Sequence, residues 1–319
     1  MNTATKLSGF ALGLVAVFGA AYGIGHVAGP DAPAADTRHD DTDAGHGDQG
    51  HAGEAAARLP GGLLVSERGY TFQPTAAPEG QFAFRITGPD GRPVTRYDVA
   101  HDKLMHLIVA RRDLSGFRHV HPELADDGTW RVASPLAGPG VWRAFADFTP
   151  TGGEPLTLGV DVTVPGTLAA RPLPPPATST TVDGYTVTLT GAPEPGRTSR
   201  LTLSVSRDGR PVTDLQPYLG AYGHLVALRQ GDLAYLHVHP EGTPGDGRTP
   251  AGPAVTFAAE VPSAGAYRLY LDFRHGDAVH TAEFTVVAGD QAPPAPTGPA
   301  TTTAPTPDAG HGTPGHGHS

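Results

Sequence analysis

Three observations predict an all-β chain. Gly (43) and Pro (33) together exceed a fifth of the 319 residues, which interrupts long helices and suits short strands joined by turns. Runs such as Phe82-Ala-Phe-Arg-Ile86, Tyr185-Thr-Val-Thr-Leu-Thr190 and Leu201-Thr-Leu-Ser-Val205 alternate apolar with polar or small residues, the period-two pattern of half-buried strands. The third observation is an internal repeat. Gly91-Arg-Pro-Val-Thr95, Met105-His-Leu-Ile-Val-Ala110 and His119-Val-His-Pro-Glu123 return as Gly209-Arg-Pro-Val-Thr213, Gly223-His-Leu-Val-Ala-Leu228 and His237-Val-His-Pro-Glu241, each 118 residues later.

Flanking segments repeat at shifted offsets. Gly69-Tyr70-Thr71 matches Gly184-Tyr185-Thr186, and Gly140-Val-Trp-Arg-Ala-Phe-Ala-Asp-Phe148 matches Gly265-Ala-Tyr-Arg-Leu-Tyr-Leu-Asp-Phe273. Each copy is therefore read as a whole domain, at 60–166 and 179–288. Six or seven strands in about 105 residues predict two tandem immunoglobulin-like β-sandwich domains, with a small barrel as the alternative. Residues 167–178, which contain Arg171-Pro-Leu-Pro-Pro-Pro176, read as a stiff polyproline-type linker.

The ends differ in kind from these blocks. Leu7 to Val27 carry no formal charge, and about 20 such residues span a bilayer as a helix, so residues 1–30 read as a signal anchor or transmembrane helix. Lys6 before the run and acidic residues after it place the bulk of the chain outside the cell membrane. Cleavage at Ala32-Pro33-Ala34 or near Gly19-Ala20-Ala21 would instead make the protein secreted. Residues 31–59 read as a disordered His/Asp-rich tether and 289–319 as a disordered Pro/Thr/His tail. About half of the net charge of −10 lies between Asp31 and Leu59, so the folded blocks are only mildly acidic. They show no basic stripe for phosphate binding, which excludes nucleic acid as a partner. With no cysteine, disulfide frameworks and thiolate metal sites are excluded as well.

The repeated segment implies a hairpin. Strand Met105–Arg111 and strand Phe117–His121 flank a turn near Asp113–Gly116, which sets His106 opposite His121. His119, two residues from His121, points to the same face. The second copy repeats the set as His224, His237 and His239. Three neutral imidazoles on one rigid ribbon suit a divalent transition metal: Cu(II), Zn(II) or Ni(II). Glu123 and Glu241 follow each pair and are candidates for a fourth ligand or a bond to a ligating imidazole. Met105 faces away from His106, and Gly223 stands in its place in the second copy, which disfavours a thioether site for Cu(I). The competing reading keeps the same histidines as core residues satisfied by backbone groups.

Several side chains near these motifs carry further expectations. Arg143 with Asp147, and Arg268 with Asp272, are four apart on one strand face and read as ion pairs, with the aspartates as metal ligands the alternative. The unshared His101, His275 and His280 read as surface residues. The tether holds His39, His46 and His51, and the tail His311, His316 and His318, in flexible Gly-rich tracts that capture divalent ions loosely.

On Met105-His-Leu-Ile-Val109, His119-Val-His-Pro-Glu123, the strand Trp142-Arg-Ala-Phe-Ala-Asp-Phe148 and their second-copy partners, the chain resembles exported bacterial YtkA-like and copper-resistance CopC-like domains. The resemblance implies small immunoglobulin-like sandwiches, export and metal handling. CopC-like proteins place a copper-binding histidine near the mature N-terminus, and no residue of this chain can be assigned as its equivalent. No nucleophile–base arrangement or glycine-rich phosphate loop stands out, so the chain reads as non-enzymatic. The expected function is buffering or transfer of copper or a similar divalent ion, with a metal ion, the membrane and another exported metal-handling protein as partners. The alternative is an extracellular module that binds a protein or glycan and whose repeated histidines are structural.

Overall fold

The structure, a computed structural model, describes residues 59–289, which fall in one compact unit spanning 56–319. The expected anchor and, apart from Leu59 and Gly289, the tether and tail lie outside the described residues. Among the described residues every regular element is a strand, and no helix is long and apolar enough to cross a membrane.

The first repeat contributes β1 (Ser66–Glu67), β2 (Tyr70–Thr75), β3 (Gln81–Thr87), β4 (Tyr97–Asp98), β5 (His106–Arg111), β6 (Arg118–Val120), β7 (Glu123–Leu124), β8 (Thr129–Ala133), β9 (Gly140–Pro150) and β10 (Leu156–Val164). One sheet runs β1-β2-β3-β8-β7 and the other β10-β9-β5-β6, with β4 added to β9. The second repeat contributes β11 (Ser179–Val182), β12 (Tyr185–Thr190), β13 (Thr198–Arg207), β14 (Arg210–Pro211), β15 (His224–Arg229), β16 (Tyr235–Pro240), β17 (Ala254–Glu260), β18 (Gly265–His275) and β19 (Ala278–Ala288). Its main strand order is the same, except that one continuous strand, β16, replaces both β6 and β7, and the short β14 pairs with β13 where β4 pairs with β9. β16 pairs with β15 through Tyr235–Val238 and with β17 through His239 and Pro240, so it passes from one sheet to the other. Strands that switch sheets make the corners of orthogonally packed layers. In the first repeat the same corner is broken at His121 and Pro122.

Alternation assigns the faces. In β9, Trp142, Ala144, Ala146 and Phe148 enter the first repeat's own core with Phe72, Phe84, Leu107 and Trp130. The intervening Arg143, Phe145 and Asp147 point the other way, yet all are buried. The reason is a third apolar cluster, lying between the repeats, in which Ile108, Ala110, Leu114, Phe117 and Phe145 meet Val226, Leu228, Leu233, Tyr235 and Tyr270. Phe117 stacks on Tyr270 with ring centroids 4.0 Å apart and planes within 8°. The equivalent rings with their roles exchanged, Tyr235 and Phe145, lie 5.4 Å apart. That reciprocity is the mark of an isologous contact, here formed within one chain.

The proline linker is tied to this junction. Leu173 packs on the shared cluster, and the Arg171 N–H donates to Asp113 at 2.8 Å. The leading segment closes the other side: Tyr235 N–H donates to Gly61 O, and Arg143 to Gly62 O. Gly62 adopts a φ of 71°, and a Cβ there would stand 2.4 Å from the Phe145 ring, so both backbone conformation and space require glycine.

Candidate metal centre

The hairpin register is the expected one. Leu107 pairs with Val120 and Ile108 with His119, which sets His106 opposite His121 one step beyond the ladder. The second repeat has the same offset, with Leu225 opposite Val238 and Val226 opposite His237. A one-residue slip would send the histidines to the opposite face.

His106, His119 and His121 converge. Each offers a ring nitrogen within 4.8 Å of the others, and their ring centroids are 5.2 Å (His106–His119), 5.0 Å (His106–His121) and 4.9 Å (His119–His121) apart. Three imidazoles bound tetrahedrally through nitrogens about 2.0–2.1 Å from an ion have centroids roughly 5.2 Å apart.

The surrounding bonds decide which nitrogens are bare. His106 Nε2 lies 3.0 Å from Ala100 O, an acceptor only, so Nε2 carries the hydrogen and the neutral ring turns a lone pair inward at Nδ1. His119 Nδ1 lies 2.9 Å from an Asp272 carboxylate oxygen of the second repeat, which likewise leaves Nε2 bare in the neutral ring. These two bare nitrogens, His106 Nδ1 and His119 Nε2, stand 3.0 Å apart. Two lone pairs at that distance repel unless a proton or a cation lies between them. His121 Nε2 is buried with no hydrogen-bond partner. Burial, opposed by the bond to Ala100, brings the His106 pKa down to about 4; burial and then the charges of His119 and His106 bring that of His121 down to about 3. Both rings are therefore neutral near pH 7, the form a metal needs.

The second repeat places His224 as the first places His106. Its Nε2 donates to Tyr218 O at 2.8 Å, and burial lowers its pKa to about 4. His237 and His239 lie on β16 opposite Val226 and Ala258; their side chains are outside the described set. Glu123 is not part of the His106, His119 and His121 cluster. Glu123 is exposed on β7, paired with Arg131, and Glu241 is exposed and held by Arg200.

Three expectations are corrected. Arg143 does not pair with Asp147 but donates to Gly62 O, Leu63 O and Asp161, its direct partner on β10. Arg268 pairs with Glu283 rather than Asp272. The aspartates instead accept from Thr157 and Thr281 across the next strand, and Asp272 reaches His119. His101 is no surface residue: half-buried, it sits 5.9 Å from His106 and 5.6 Å from His224 between ring centroids. His280 is buried against Asp183, and His275 is half-buried between Tyr185 and Asp214. Sequence reasoning missed His101 and the cross-repeat role of Asp272. The only available signal was that Asp272 recurs at the position of Asp147.

Among solved structures, the chain is similar to a mutant of Salmonella alpha-2-macroglobulin (13% identity, TM-score 0.21, 70% of this chain and 15% of that one). It is also similar to domains 4 and 5 of the S-layer protein SbsC (13%, 0.20, 73% and 94%) and to a chimeric titin Z1Z2 protein (17%, 0.16, 69% and 95%). The chain thus spans only a small part of the macroglobulin's length. No curated protein matches it. The family model described as "Domain of unknown function (DUF8832)" matches twice, over residues 67–166 and 180–290, and the chain belongs to that family.

Proposed function

We propose that this is an exported, non-enzymatic protein that binds a divalent transition metal, Cu(II) first and Zn(II) or Ni(II) within the same ligand chemistry, to buffer it or pass it to another exported metal-handling protein. The observation that carries the reading is the approach of His106 Nδ1 and His119 Nε2 to 3.0 Å, both turned inward, beside the partnerless Nε2 of His121. A borderline divalent cation of the kind imidazole suits relieves all three at once. The two layers in each repeat fit the immunoglobulin-like sandwich of the YtkA-like and CopC-like resemblance, and the uncharged run Leu7 to Val27 supports attachment to the cell membrane.

The test is a titration of the full chain with Cu(II), Zn(II) and Ni(II), after His39, His46, His51, His311, His316 and His318 have been replaced by Asn to silence the flanking tracts. Tight binding that weakens in His121→Ala supports the reading; no tight binding of any of the three ions overturns it. One observation favours the alternative of structural histidines in a protein- or glycan-binding module. A proton on His119 Nε2 would bond His106 and leave an imidazolium paired with Asp272, which satisfies these two rings, though not His121 Nε2, without metal. On that reading His121→Ala lowers stability and moves no metal isotherm.

A further inference from the structure

His106 and His119 of the first repeat and His224 of the second stand around one cavity at the junction between the repeats. We infer that the ion held by His106, His119 and His121 takes its fourth ligand from His224 of the second repeat, so that a single metal centre bridges the two repeats. This rests on the metal-binding reading above and goes beyond it by fixing the ligand set and the consequence of loading.

Four observations point to His224. Its outer nitrogen is committed: Nε2 donates to Tyr218 O, so the bare nitrogen of the neutral ring is Nδ1, as in its counterpart His106. It is buried, at 6% exposure, so water does not compete for its bare nitrogen as it would at the surface. It is also delivered by the strand pair that already holds a triad member, because His224 is the direct cross-strand partner of Asp272, and Asp272 accepts from His119. Finally, His106, His119 and His224, with His101 and Asp147, line a small cavity of about 10 Å³ beside the triad, room for one water or ion centre, although His121 is not one of its walls.

The His119 and His224 ring centroids are 6.4 Å apart, against roughly 5.2 Å in a tetrahedral set, and His224 stands outside the group whose nitrogens lie within 4.8 Å of one another, so loading must draw His224 toward the triad, by about an ångström relative to His119. His101 also borders the cavity and is the rival for the fourth position. It sits in a loop at a φ of 49°, and its counterpart Leu219 has nearly the same backbone at 53°. His101→Leu is therefore a replacement whose backbone the second repeat already demonstrates.

The experiment uses the full chain with the six flanking histidines replaced by Asn, loaded with Zn(II). Stoichiometry is measured by titration and the imidazole count by X-ray absorption. The expected result is one tight ion with four imidazoles, falling to three in His224→Gln with a loss of affinity of about tenfold or more, while His101→Leu keeps four. Zn(II) should also raise the Tm of the parent chain, and His224→Gln should remove most of that rise. Two independent tight ions, or an imidazole count that falls in His101→Leu and not in His224→Gln, overturn the bridging proposal while leaving metal binding itself in place. Absence of Zn(II), Cu(II) and Ni(II) binding overturns both.

Discussion

Mild acid should destabilise the metal-free protein, and the size of the effect follows from two buried rings. His106 and His224, each 6% exposed, have pKa values near 4 in the folded chain, lowered chiefly by burial. In the unfolded chain an imidazole titrates near 6.5. The folded state thus binds fewer protons between these values, so stability is complete above about pH 6.5 and falls as the pH drops toward 4. At pH 5 each ring costs about 2 kcal/mol, because each pH unit of unmatched protonation is worth about 1.4 kcal/mol. The pair therefore costs about 4 kcal/mol, a large share of the roughly 5–15 kcal/mol typical of a domain. Asp127 and Asp246, whose backbone and side-chain hydrogen bonds hold them near 2, begin to contribute only at lower pH. Urea unfolding of the chelator-treated protein at pH 7.5, 6.5, 5.5 and 5.0 measures the slope. His106→Gln should remove about half of the pair's contribution, while His121, brought down to about 3, adds to the same slope. A midpoint that stays flat from pH 7.5 to 5.0, or rises, would refute the argument that these rings are buried neutral.

Other predictions concern the junction and the ligand set. Phe117→Ala removes the ring stacked on Tyr270 and should cost about 3–5 kcal/mol in urea unfolding, as expected of a core ring although this residue lies outside either repeat's own interior. Asp272→Asn loses the carboxylate that orients His119 and should weaken Zn(II) binding by about 10–100-fold, with the imidazole count unchanged. Glu123→Gln and Glu241→Gln should leave the Zn(II) isotherm unmoved; a tenfold loss in either would return a carboxylate to the ligand set. Gly62→Ala should lower the Tm, because the new methyl meets the Phe145 ring at a positive φ.

The triad was legible because a hairpin leaves little freedom. The side-chain period is two, the turn at Asp113–Gly116 sets the offset, and His106, His119 and His121 then share a face. What covers that face was not legible. Ile108 and Phe117 beside the histidines marked it as apolar, but a sandwich core and a contact with the other repeat leave the same trace in sequence. The partners of Arg143 were hidden for a related reason. Spacing along β9 brings Asp147 onto the same face, whereas Asp161 arrives from β10, whose register depends on the chain reversal between them. The turns conceal a compensated shift as well: Leu114 and Leu233 both take a positive φ and both enter the shared cluster, yet they are 119 residues apart rather than 118. His101 was set aside because Leu219 stands at its counterpart position, although the two loops share a backbone and the space beside one of them is the centre itself.

The reciprocal packing of Phe117 on Tyr270 and of Tyr235 on Phe145 has a consequence for dilution. Two free single-repeat chains joined by this face would separate below their dissociation constant. Covalent linkage through residues 167–178 replaces that bimolecular equilibrium with an effective local concentration, of millimolar order for a short linker. The junction then forms at any protein concentration, and a centre that draws ligands from both repeats keeps its full set of donors however sparse the molecules are.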